Sequence, residues 1–117
     1  MGEEDVEALD GLFDKVSERQ YGIITRGCFG GGALKQSLTE ADLRAIEPKW
    51  ERVLRIRQVA ERMQRSSLEA ALQFSLSVEP ISVTILGMRT PEHLAANLQY
   101  YSATPLSNEE KRRLLAD

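Results

Sequence analysis

The sequence predicts an α/β chain, mostly helical by residue count, organised on two short strands of one parallel sheet. Two apolar, β-branched runs carry that prediction, Tyr21–Thr25 and Ser82–Leu86, each followed closely by glycine. The residues between them keep helical spacing, and strands separated by helices read as a βαβ crossover. The second run leads into Gly87, then Thr90 and Pro91 at the start of a helical pattern. Thr at an N-cap and Pro at the first helical position form a strong start signal. A strand, a glycine turn and a helix N-terminus in that order suit an anionic ligand, because free N–H groups and the helix dipole converge there.

The elements follow in order. From Glu3 to Gln20 the apolar positions Val6, Leu9, Leu12, Phe13 and Val16 make one helical face. The acids Glu3, Glu4 and Asp5 suit the dipole of that helix rather than acid–base chemistry. Tyr21–Thr25 is expected as a buried strand, and a glycine-rich loop runs from Arg26 to Leu34. Its three consecutive glycines allow positive φ and close backbone approach. Thr39, with Glu40 and Asp42, opens a short helix through Glu47, and Pro48 restarts the chain.

Trp50, Val53, Leu54, Ile56, Val59, Ala60 and Met63 line a longer helix. The charges Glu51, Arg52, Arg55, Arg57, Glu61 and Arg62 are expected on its solvated face. Ser66 and Glu69 have capping-box spacing ahead of a helix rich in small residues. Ser82–Leu86 is the second strand, and Pro91 to Tyr101 the helix after it. Ser107 and Glu110 form another capping box before a last short helix. Two parallel strands alone leave open edges, so the sheet is expected to be completed by another chain or to belong to a larger barrel.

The totals bound the function. A chain of 117 residues, 42% apolar and 28% charged, is one domain's worth, expected here as a single domain over 1–117. A net charge of −3 argues against nucleic acid and membrane surfaces as partners. No apolar run reaches transmembrane length, and the acidic start does not resemble a secretory signal. Val6 at the sixth position leaves Gly2 without a myristoylation motif. The single cysteine, Cys28, allows no internal disulfide and reads as an inert thiol. The expected location is the cytoplasm.

Three stretches in this order resemble the C-terminal part of the aldo/keto reductases, oxidoreductases built on (β/α)8 TIM barrels and using NADPH or NADH. Gly22–Leu34 looks like the family's seventh strand and following loop, where Phe29-Gly30-Gly31-Gly32-Ala33-Leu34 fits a Leu-Gly-x-Gly-x-Leu pattern that wraps the dinucleotide. Ser66–Pro80 looks like the seventh helix. Val83–Leu98 looks like the eighth strand and the cofactor-clamping helix start. The resemblance covers nearly the whole chain from about Val6. It implies a partial barrel, the last two strands with their helices.

The same resemblance implies roles for individual residues. Gly27, Phe29, Gly30 and Gly32 would border the pyrophosphate through backbone groups. Gly87, Met88 and Arg89 would pass the adenosine phosphate or ribose, with Arg89 as the charge. His93 would fall at the adenine end, and Asn97 would hydrogen-bond adenine. Three positions depart from the family pattern: Leu86 replaces a proline, Gly87 a lysine used on the 2′-phosphate, and Ala96 a glutamate beside Asn97. The resemblance therefore implies NADP or NAD as cofactor without choosing between them.

The family's catalytic tyrosine, lysine, aspartate and histidine lie on earlier strands that have no counterpart here. Tyr21, Tyr100 and Tyr101 fall in segments that do not match the catalytic one, and the chain alone is expected to be inactive. Two functions remain open: the nucleotide-binding segment of a carbonyl-reducing barrel, with the rest of the barrel as partner, or a non-catalytic, self-associating module derived from that fold.

Overall fold

The structure, a computed structural model, describes residues 3–116, with side chains from Leu9 onward. The acids Glu3, Glu4 and Asp5 and the face position Val6 lie outside the described side chains, and Gly2 lies outside the described residues. Six α-helices and two strands succeed one another: α1 (Glu3–Glu18), β1 (Ile24–Arg26), α2 (Glu40–Ile46), α3 (Trp50–Arg62), α4 (Ser67–Ser77), β2 (Val83–Ile85), α5 (Pro91–Ser102) and α6 (Asn108–Leu115). A single 3₁₀ turn, Gly30–Gly32, lies in the loop after β1.

The strands pair in parallel, Ile24 with Val83, Thr25 with Thr84 and Arg26 with Ile85. β1 begins later than the apolar run suggests. Before it, the backbone of Ile23 is engaged by Ser82, whose amide donates to Ile23 O and whose Oγ accepts from Ile23 N. The expectation of buried strands is not met. Ile24, Val83 and Ile85 are more than half exposed, because no second layer of the described chain packs on that face of the sheet. Thr25 and Thr84 alternate to the other face, where their hydroxyls lie 3.1 Å apart. Leu12 on α1 is likewise exposed, so the expected face of that helix is only partly covered.

The local signals are read correctly where they rest on a few adjacent residues. Thr39 and Asp42 form a reciprocal capping box at α2, and Ser107 and Glu110 form one at α6. At α4 the box is half-made. Ser66 accepts from Glu69 N, but the Glu69 carboxylate turns to Arg65 instead. The α1 and α3 ends carry no glycine, yet each closes through a residue with positive φ, Gln20 at 57° and Gln64 at 58°. At each end two backbone bonds finish the helix, Tyr21 N to Val16 O with Gln20 N to Ser17 O, and Arg65 N to Ala60 O with Gln64 N to Glu61 O. That pair of bonds is the Schellman pattern.

The core sits beneath the glycine-rich loop. Ala33 and Leu34, the residues leaving that loop, are buried with Leu43 of α2 and Val53 of α3. Leu38, Trp50, Leu54, Ile56, Leu68 and Ala71 pack around them. The far end of the loop is thus rooted in the most tightly packed part of the chain, while its glycines stand above it. α5 packs on α4, and α6 on α3.

Candidate functional site

In a parallel pair both strands end on the same side of the sheet, and neighbouring strands lie roughly 4.8 Å apart. The ends of β1 and β2 therefore deliver two loops side by side. One is the glycine-rich loop, Gly27–Leu34; the other is Leu86–Thr90, which leads into α5. The sequence-derived candidates divide between these loops and α5.

In the first loop, Gly27, Gly30, Gly31 and Gly32 all adopt positive φ, between 63° and 96°. That region excludes most side chains, so the glycines are required by the shape. Successive turn bonds coil the loop tightly: Gly30 N to Gly27 O, Gly32 N to Phe29 O, Ala33 N to Gly30 O and Lys35 N to Gly32 O. Those bonds leave the amides of Phe29 and Gly31 without a backbone partner among the described residues. Unspent amides on a glycine coil are the usual chemistry of an anion cradle. Lys35 lies across the coil, so that a Cβ on Gly32 would stand 3.7 Å from its Nζ. Lys35 was not among the candidates; its distance from the glycine motif in sequence is small, but its direction depends on the coil.

In the second loop, Gly87, Met88 and Arg89 are exposed. Thr90 caps α5 by accepting from His93 N at 3.1 Å, with Pro91 at the first position as expected. The His93 ring turns back, and its Nδ1 accepts from Arg89 N at 3.1 Å. That bond fixes the bend into the helix and spends one of the two ring nitrogens. The Arg89 guanidinium, by contrast, makes no hydrogen bond or ion pair among the described residues. A cation without a protein partner beside a helix N-terminus opposes the dipole unless an anion joins them.

Asn97 lies one turn beyond His93 and is the one buried residue of α5, 6% exposed. Its Nδ2 is buried with no hydrogen-bond partner among the described residues. An amide donor in that state lacks about 1–3 kcal/mol of compensation. Gln73, across the α4–α5 contact, has its amide nitrogen engaged instead, donating to Tyr100 O at 2.7 Å.

Cys28 contributes no chemistry. Burial pushes its thiol up from the ordinary value, opposed by a hydrogen bond with Ser75, so it stays protonated. It lines an apolar cavity of about 190 Å³ with Leu34, Ile56, Ala71, Phe74 and Leu114.

The largest departure from the sequence reading is on α3. Its arginines were expected on a solvated face, but Arg55 and Arg57 are half-buried and committed to backbone carbonyls. Arg55 donates to Arg113 O and Leu114 O at the end of α6. Arg57 donates to Ala33 O at 3.2 Å, to Leu38 O at 2.7 Å and to Lys35 O. The cause is position: α3 is flanked by the loop after the glycine coil and by α6.

The glycine coil and the capped α5 entry bring backbone donors to the same end of the strand pair, a chemistry suited to an anion. A model of the aldo/keto reductase family matches residues 7–116. The fold is similar to that of the aldo-keto reductase AKR11C1 from Bacillus halodurans in its holo form, with a TM-score of 0.73 and 22% identity over 90% of this chain. The apo form of the same protein gives the same TM-score and identity. The chain spans 36% and 37% of the length of those two structures, so its fold is a part of their barrel. A comparison with curated proteins finds no match. Among the described residues, no helix is long and apolar enough to cross a membrane.

Proposed function

We propose, from the premise that this chain belongs to the aldo/keto reductase family, that it forms the part of an NAD(P)H-dependent oxidoreductase barrel that grips the adenosine and diphosphate of the dinucleotide. One observation carries this reading: adjacent parallel strands deliver a glycine coil with unspent amides and a capped helix entry to the same edge. The dinucleotide, when bound, supplies the reducing electrons for a carbonyl group.

The work of this chain's own residues is binding and orientation. The amides of Phe29 and Gly31, on the coil set by Gly27, Gly30 and Gly32, donate to diphosphate oxygens. Lys35 and Arg89 offset the phosphate charge from the two sides, with Gly87 and Met88 carrying the backbone past the ribose. His93 holds the bend at Arg89, and Asn97 offers its free amide to the adenine ring. We assign the groups that move a proton to the carbonyl oxygen to the rest of the barrel, since among the described residues no tyrosine–lysine pair lies at the strand ends. General acid catalysis of that step needs such a pair.

Titration of the chain with NADPH and NADH, read by nucleotide fluorescence, tests the proposal. Micromolar binding is expected, with Arg89→Ala weakening NADPH by about tenfold, the loss of one charge-assisted contact. No binding at millimolar nucleotide overturns it. A second reading has its own observation. Leu94, Leu98 and Tyr101 form an exposed stripe on α5, and Ile24, Val83 and Ile85 an exposed sheet face. A chain that binds no nucleotide but sediments as a stable dimer would be a self-associating module using those faces.

A further inference from the structure

We infer that Arg57 is a positioning residue for the phosphate-binding coil, an inference that rests on the dinucleotide reading of that coil. Glycine gives the coil its shape but no stiffness, because each glycine adopts positive and negative φ about equally well. Something outside the coil must therefore select one conformation. The residues that leave it, Ala33 to Leu38, supply the handle. Their carbonyls at Ala33, Lys35 and Leu38 all accept from the single guanidinium of Arg57. The carbonyl between the first two, Leu34 O, accepts from Ser67 Oγ of α4 at 2.6 Å, in a buried bond.

Three properties single out Arg57 rather than Ser67. Its fork reaches carbonyls five residues apart in sequence, so it fixes the curvature of the segment and not one peptide. It carries no carboxylate partner among the described residues, so its charge is left to the loop. Its Nε is buried without a partner among the described residues, so the bonds to the loop are made by the outer nitrogens. A guanidinium stays charged at any physiological pH. With its donors turned on the carbonyls of Ala33, Lys35 and Leu38, it holds the segment into which the coil runs. Lysine has no such fork and can serve only one of these carbonyls well at a time.

Hydrogen exchange and ligand binding on the full chain test this together. In Arg57→Gln, the amides of Gly30–Lys35 exchange about tenfold faster, while those of α4 and α6 keep their wild-type rates. Affinity for ADP-ribose falls by about tenfold, and affinity for adenosine by less than about twofold. Arg57→Lys restores little of either. A rise in exchange spread evenly over the chain, or an unchanged coil, overturns the positioning role, as does an equal loss for adenosine and ADP-ribose. Should wild type bind no ADP-ribose at about 5 mM, the dinucleotide reading falls, and the exchange pattern alone then supports or overturns the hold of Arg57 on the coil.

Discussion

Arg65 Nε donates to Glu110 Oε2 at 2.8 Å, tying the start of α6 to the residue just before the α4 N-cap. The same guanidinium donates to Glu69 Oε2, Thr104 O and Pro105 O, and its side chain is only 9% exposed. It thereby fixes the whole connection from α5 to α6 against α4.

Arg65→Met should destabilise the chain by about 2–3 kcal/mol, less than a fully buried pair because Glu110 keeps some access to water. Urea denaturation at neutral pH measures it. Arg65→Lys should recover less than half, since lysine lacks the planar fork.

The same contact predicts a pH dependence. The Arg65 hydrogen bond, helped by Ser107 N, holds the Glu110 carboxyl below its ordinary value of 4.5. A lowered folded value means that the unfolded chain binds more protons in this window, so stability rises with pH there. The contribution is complete above about pH 5.5 and is lost as pH falls from the ordinary value through the folded one. Urea midpoints of wild type and Glu110→Gln should differ at pH 7, and the difference should shrink as pH falls below the ordinary carboxyl value of 4.5.

Gln64 holds the positive φ that closes α3, at a position where helices prefer glycine. Gln64→Gly should stabilise the chain by about 0.5–1 kcal/mol, since the left-handed conformation is free of steric cost only for glycine. Thermal denaturation reads this as a rise in midpoint. A fall would mean that the glutamine side chain, rather than the backbone, is what the site uses.

Asn97 sets stability against binding. Replacing it with leucine removes an orphaned donor, so Asn97→Leu should leave the ligand-free chain unchanged or stabilise it by up to about 1 kcal/mol. The same substitution should weaken adenine-nucleotide binding by about tenfold. Denaturation and fluorescence titration on one preparation check both halves.

What was legible in the sequence was what a few neighbouring residues decide. Thr39 with Asp42, Ser107 with Glu110, and Thr90 with Pro91 mark helix starts because cap and partner are three residues apart or fewer. The parallel pairing followed from two apolar runs separated by helices. The helix ends at Gln20 and Gln64 were not legible, because glutamine sends no signal for a left-handed turn. Arg57 was read as solvated because its partners depend on where α3 lies against a loop 19 to 24 residues earlier. The exposed strands were misread for the converse reason: β-branched residues fit a sheet interior, but their burial depends on neighbouring strands, which only partly exist here.

The pairing of Thr25 with Thr84 spans 59 residues of chain. Closing a loop of that length costs more entropy than the contacts within and between α2, α3 and α4, whose residues are nearer in sequence. The helical layer can therefore assemble while β1 and β2 are still apart, and the two strands meet late in folding. Because the glycine coil and the α5 entry are neighbours only through that meeting, the two halves of the nucleotide grip come into being in a single step. They should also part together when the chain begins to open, so a nucleotide that bridges them acts as a clamp on a contact between residues far apart in sequence.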